Sequence, residues 1–107
     1  MRLSDLLKVE NITLSLESSS KQAIIEELLD LAMNSGNINS KQGALEGILK
    51  REELMSTGLE KGIAVPHAKT AAVDEMTIAL GINKEGVDFD SEDGQPYRLF
   101  FLLLALE

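Results

Sequence analysis

No cysteine occurs in this chain, so it can build neither a disulfide framework nor a thiolate metal site, and a small fold that does without either suits a reducing cytosol. Histidine is nearly absent as well: His67 is the only one, too few for the common structural zinc sets. Basic residues are scarce, ten Lys and Arg against eighteen Asp and Glu for a net charge of -8. That balance denies the chain the phosphate-neutralising stripe that sequence-independent nucleic-acid binding needs. No apolar stretch approaches the roughly 20 residues of a membrane helix, and Met1-Arg2-Leu3-Ser4-Asp5 lacks the pattern of a signal peptide. Repeats, low-complexity tracts and linker-like segments are missing too. What remains is one α/β domain over residues 1–107, soluble and expected in the cytoplasm.

Periodicity places the elements. A short turn or helix is expected near Asp5 to Leu7. Ile12, Leu14 and Leu16 then alternate with polar residues, the period of a half-buried strand. Ser19 and Gln22 have capping-box spacing, and Ile24, Ile25, Leu28, Leu29 and Ala32 recur at helical intervals up to Gly36. Asn39 is placed to cap a second helix with Leu45, Ile48 and Leu49 on its apolar stripe, ending near Met55 before Ser56-Thr57-Gly58. Ile63, Ala64 and Val65 read as a short strand, and Met76, Ile78, Leu80 and Ile82 as a longer one. The polar stretch Asn83 to Pro96, with Gly86 and Asp93-Gly94, predicts a hairpin or short edge strand. Leu99 to Leu106 is the longest apolar run and suits a central strand buried on both faces. Helices early and strands late predict a mixed sheet flanked by helices.

Chemistry concentrates around His67, which follows Gly62-Ile63-Ala64-Val65-Pro66. Pro66 fixes the backbone and biases Val65 to an extended conformation, so the imidazole is offered from a rigid corner at a strand end. A neutral ring can present one nitrogen to an electrophile while the other is held by a hydrogen bond; the plainer alternative is a histidine that only satisfies its own hydrogen bonds. Arg51 falls in line with Ala44, Ile48 and Met55 on the second helix. It reads either as a cation snorkelling beside Lys50 at the helix C-terminus or as a guanidinium fork for an anion, phosphate fitting best. Ser56 and Thr57 could donate hydroxyls to the same anion, and Lys61 and Lys69 flank the segment as local positive potential or as solvated surface lysines. No GxGxxG, Walker A or HExxH run is present, and Asp88, Asp90, Glu92 and Asp93 miss the calcium-loop register, since position twelve falls on Leu99 or Phe101. Nor does a hydrolase elbow surround His67.

The segments Arg51-Glu52-Glu53-Leu54-Met55-Ser56-Thr57-Gly58-Leu59 and Gly62-Ile63-Ala64-Val65-Pro66-His67-Ala68 resemble the signature of the enzyme IIA domain of the bacterial phosphoenolpyruvate-dependent sugar phosphotransferase system. The class is fructose/mannitol-type, which includes nitrogen-regulatory relatives. The resemblance covers most of the chain. It implies a phosphocarrier in sugar uptake or nitrogen-linked regulation, in which His67 accepts a phosphoryl group from the phosphohistidine carrier protein HPr and passes it to an enzyme IIB component. Arg51 would stabilise the phosphate and Thr57 would contact it, with no metal, nucleotide or other cofactor. Domains of this type continue for roughly two more helices, each about a dozen residues by general helix lengths, and many carry a second histidine there. The domain is therefore expected to be C-terminally incomplete, lacking the family's last helices. Two expectations follow: an alternative role as a non-catalytic regulatory or interaction domain that keeps the fold without the relay, and self-association through an exposed C-terminal strand.

Overall fold

The computed structural model describes residues 11–54, 62–87 and 96–106. The element expected near Asp5 to Leu7, the Ser56-Thr57-Gly58 break and the Asp93-Gly94 turn lie outside them. The described α-helices and strands are β1 (Ile12–Thr13), α1 (Lys21–Ala32), α2 (Lys41–Leu54), β2 (Ile63–Ala64), β3 (His67–Thr70), β4 (Thr77–Val87) and β5 (Tyr97–Leu106), with a 3-10 turn at Met33–Ser35 following α1. They form a mixed sheet of order β1-β4-β5-β2, with β3 also pairing β5. β1 lies parallel to β4, β2 and β3 lie parallel to β5, and β4 and β5 form the antiparallel pair. The expected α/β class is present, and β4 and β5 form an antiparallel pair whose connection lies outside the described residues.

Both described helices sit on one face of the sheet. Ile24, Ile25, Leu28, Leu29 and Ala32 of α1 and Ala44, Leu45 and Ile48 of α2 share one core with Ala68, Ala79, Phe100, Leu102 and Leu104. The alternation within β5 decides which side is sealed: Phe100, Leu102 and Leu104 are fully buried, whereas Leu99, Phe101, Leu103 and Ala105 are half-buried. β5 is thus central as expected, but it is not equally buried on its two faces. Nor is it an edge. It is hydrogen-bonded to β4 on one side and to β2 and β3 on the other, so self-association by edge pairing of the C-terminal strand would find only the ends beside Ala105 and Leu106, past the last β4 pair at Thr77 and Leu104.

Several boundaries differ from expectation for local reasons. β1 stops at Thr13 because the chain bends at Leu14, which is 65% exposed, and re-enters at Leu16, whose N–H donates to the Ile82 carbonyl at 2.8 Å. Leu16 packs so closely on β4 that a Cβ on Gly81 would stand 2.6 Å from its Cδ1. The cap of α1 is Ser20 rather than Ser19, its Oγ accepting from the Ala23 N–H. The cap of α2 is Ser40 rather than Asn39: Ser40 Oγ accepts from the Gly43 N–H at 3.1 Å, while Asn39 Nδ2 donates to the Ala71 carbonyl and to Asp74 Oδ1. Asn39 ties the start of α2 to the loop after β3. Met76 precedes β4 and is 37% exposed, and β4 continues through Asn83 to Val87, where a turn is expected. Asn83 explains the extension. Its Nδ2 donates to the carbonyls of Leu16 and Ser18 and its Oδ1 accepts from the N–H groups of Glu85 and Gly86, so a buried polar residue holds the irregular stretch between Ile82 and Val87.

α2 carries two interior glycines, Gly43 and Gly47, each costing about 1 kcal/mol relative to alanine in a helix. The helix is anchored to α1 where Lys21 Nζ meets the largely buried Glu52 carboxylate at 2.9 Å. Among the described residues no helix is long and apolar enough to cross a membrane.

Candidate functional site

The site begins with a break in pairing. Ala64 is opposite Phe100 and His67 opposite Leu103, so both chains advance equally and Val65-Pro66 interrupts the ladder without shifting its register. Proline has no N–H to donate, yet the Pro66 carbonyl still accepts from the Leu103 N–H at 3.0 Å. Successive carbonyls of an extended chain point to opposite sides, which turns the Val65 carbonyl away from β5. There it meets His67, whose Nδ1 lies 2.8 Å from the Val65 oxygen. A carbonyl can only accept, so Nδ1 carries the proton, and in the neutral ring Nε2 keeps its lone pair. His67 is the first residue of β3, not the last residue of the strand before it; the proline corner lies between two short strands.

β3 alternates across its two sides. Ala68 and Thr70 are buried toward α2, His67 is half-buried and Lys69 exposed. α2 approaches closely enough that a Cβ on Gly47 would lie 3.6 Å from Ala68 Cβ and 3.8 Å from Thr70 Cβ. Between helix and strand runs a cleft of about 560 Å³ lined by Gly47, Lys50, Arg51, His67, Ala68, Lys69 and Thr70. Arg51 and His67, sixteen positions apart in sequence, therefore line one space. Lys50 and Lys69 line the same space, so its described walls carry three cations besides the imidazole, and no carboxylate is among the described lining residues. Such a space suits an anion brought to a neutral nitrogen nucleophile. Thr57, Ser56 and Lys61 lie outside the described residues. Among the described residues no group of three or more His, Cys, Asp or Glu could hold a metal ion.

Sequence reasoning brings His67 and Arg51 forward but passes over Gly47 and Thr70 as lining residues. A signal exists for the first: Gly47, Lys50 and Arg51 stand at i, i+3 and i+4 on one helical face. Thr70 has none, since its Oγ1 accepts from the Ala72 N–H in an ordinary turn and only the apposed helix makes it part of a cleft.

Residues 5–107 match the family model described as "Phosphoenolpyruvate-dependent sugar phosphotransferase system, EIIA 2". The chain is 44% identical over its whole length to the PTS system fructose-specific EIIABC component of Bacillus subtilis, of which it spans only 17%. Among solved structures it is similar to the nitrogen regulatory protein IIA-Ntr of Neisseria meningitidis, with TM-score 0.89 and 36% identity over 98% of this chain and 71% of that one. It is also similar to a chain in the complex of enzyme IIA-mannitol with phosphorylated enzyme IIB-mannitol from Escherichia coli, with TM-score 0.81 and 26% identity over 94% of this chain and 70% of that one. With the proline corner, the cationic cleft and a family model covering nearly every residue, this chain belongs to the EIIA type-2 family of the phosphoenolpyruvate-dependent sugar phosphotransferase system.

Proposed function

We propose that this domain is a phosphocarrier working in the cytoplasm, in which His67 Nε2 accepts a phosphoryl group from phosphorylated HPr and passes it to an enzyme IIB component. The observation that carries the reading is the 2.8 Å contact between His67 Nδ1 and the Val65 carbonyl, inside a cleft shared with Arg51. The Nε2 lone pair attacks phosphorus in line, the nitrogen–phosphorus bond of the donor phosphohistidine breaks, and its electron pair returns to the donor ring. No proton need move on His67. The Nδ1–H remains on the Val65 oxygen, and as the ring gains positive character that carbonyl holds it more strongly. Arg51 offsets charge on the equatorial phosphoryl oxygens. The reverse attack, by a nucleophile on the IIB component, discharges His67 by the same geometry. The E. coli complex of a IIA with a phosphorylated IIB supports IIB as the class of acceptor, and the fructose-specific relative supports sugar uptake as the setting.

Incubation with radiolabelled phospho-HPr tests this directly: the wild type takes up acid-labile, base-stable label and His67→Ala takes up none. Unlabelled wild type, or undiminished label on His67→Ala, overturns the reading. The similarity to a nitrogen regulatory protein favours one alternative, a regulatory domain that binds partners without relaying phosphate. Partner binding unchanged by His67→Ala and by phosphorylation would select it.

A further inference from the structure

We propose that Glu52 is a positioning residue for phosphoryl transfer: paired with Lys21 of α1, it fixes the last turn of α2 and so sets where Arg51 meets the phosphoryl group at His67. The inference rests on the phosphocarrier reading and on Arg51 as its anion contact, and adds what holds that arginine in place.

Glu52 is out of character for its position. Leu45, Ile48 and Glu52 follow at i, i+3 and i+7 along the buried side of α2, so a carboxylate stands where an apolar side chain would continue the stripe. It is 8% exposed, and its Oε2 lies 2.9 Å from Lys21 Nζ. The signs are also reversed for each helix taken alone. Glu52 stands in the last turn of α2 and Lys21 is the first residue of α1, where the macrodipole disfavours a carboxylate and an ammonium respectively. Side by side the conflict disappears. Glu52 supplies the N-terminus of α1, which has no acidic residue in its own first turn, and Lys21 supplies the C-terminus of α2.

Stability alone does not call for this arrangement, because a buried ion pair can often be replaced by apolar residues of similar size without loss. What the pair adds is direction. A charged contact between two helix ends fixes the rotation and height of the joined turns, whereas apolar contact tolerates small slides of both. In α2 that turn carries Arg51, one residue earlier and about 100° round the helix, so Glu52 reaches α1 while Arg51 lines the cleft beside His67. On the cleft side the turn borders a space of about 560 Å³ rather than packed side chains. Upstream lie Gly43 and Gly47, which weaken the helix. The setting of Arg51 is therefore taken from the α1 side.

The experiment measures transfer from phospho-HPr by wild type, Glu52→Gln, Arg51→Gln, the double variant of these two, and Lys21→Met combined with Glu52→Met, with urea titration of each as the control of folding. Glu52→Gln should lose about tenfold in kcat with KM within about twofold, part of the hundredfold or more that removing a donor to a developing anion costs. In the Arg51→Gln background the same substitution should cost less than about twofold, because residues that act through one another are not additive. The paired methionines should restore the urea midpoint and leave kcat as low as in Glu52→Gln. Recovery of kcat along with the midpoint overturns the proposal, since packing would then be all the pair provides. So does an undiminished rate in Glu52→Gln, or an equal loss with and without Arg51. If Glu52→Gln does not fold, the paired methionines with and without Arg51→Gln give the same comparison. A deficient Arg51→Gln beside an unaffected Glu52→Gln sinks this inference alone. Arg51→Gln within about threefold of wild type, or a wild type that takes up no label, dismisses the reading beneath it and the inference too.

Discussion

At the scale of single residues, the Val65 carbonyl holds Nδ1 of His67 and leaves Nε2 as the nitrogen on which the proposed transfer would act. With Nδ1 committed to that oxygen at 2.8 Å, the phosphorylated protein should carry its phosphoryl group on Nε2. Nitrogen-15 shifts of the phosphorylated ring read this directly, and a phosphoryl on Nδ1 would mean that the contact breaks before transfer. Arg51 offers a sharper quantity. Removing one preorganised donor to a developing anion costs about a hundredfold or more in rate, so Arg51→Gln should lower kcat/KM for transfer from phospho-HPr by about that factor. Arg51→Lys should recover part of the loss, because it restores the charge without the planar fork. A rate for Arg51→Gln within threefold of wild type would reduce Arg51 to a helix-end cation. Both residues are legible in the sequence because each is anomalous where it stands, a lone imidazole after a proline and a cation interrupting an apolar stripe. Gly47 is marked only by its helical spacing from Lys50 and Arg51, and Thr70 by nothing. Their place in the cleft is created by the approach of α2 to β3, which no local pattern encodes.

At the scale of elements, existence is read from periodicity and boundaries are decided by single hydrogen bonds. Ser18, Ser19 and Ser20 are chemically interchangeable as caps, and only the extended backbone of Ser20, at φ -126° and ψ 157°, aims its Oγ at the Ala23 N–H. Ser20→Ala should therefore lose about 1 kcal/mol of stability and Ser19→Ala less than about 0.5 kcal/mol, compared by urea midpoints at constant m-value. Equal losses would mean that the cap is shared between the two serines. The same logic explains the long β4. Asn83 looks like a turn residue in sequence, and its Oδ1 does hold a local turn by accepting from Glu85 and Gly86. Its Nδ2, however, reaches carbonyls 67 and 65 positions away, on Leu16 and Ser18. Those long-range bonds carry the strand through a segment whose composition argues for a loop.

At the scale of the whole molecule, the sheet has one sealed face and one partly open face, and β5 displays both within ten residues. The sealed side faces α1 and α2 through Phe100, Leu102 and Leu104; the other presents Leu99, Phe101 and Leu103 beside Ile82, Leu80 and Ile78 of β4. A run of eight apolar residues looks symmetric in sequence because both faces of the strand are apolar, so nothing in it tells which side the helices cover. Topology breaks the symmetry. α1 precedes β4 and α2 precedes β2 and β3, and both pack onto the same side. Deleting a buried leucine side chain to alanine costs about 2–5 kcal/mol, the amount rising with the cavity left behind. Leu102 is fully enclosed and should fall in that range. Leu99 is already partly in water and leaves no closed cavity, so its truncation should cost about half as much or less. Paired urea titrations of Leu102→Ala and Leu99→Ala measure the difference. Equal losses would show that the second face is as tightly covered as the first in solution, and that the asymmetry placing α1 and α2 on one side of the sheet does not extend to its energetics.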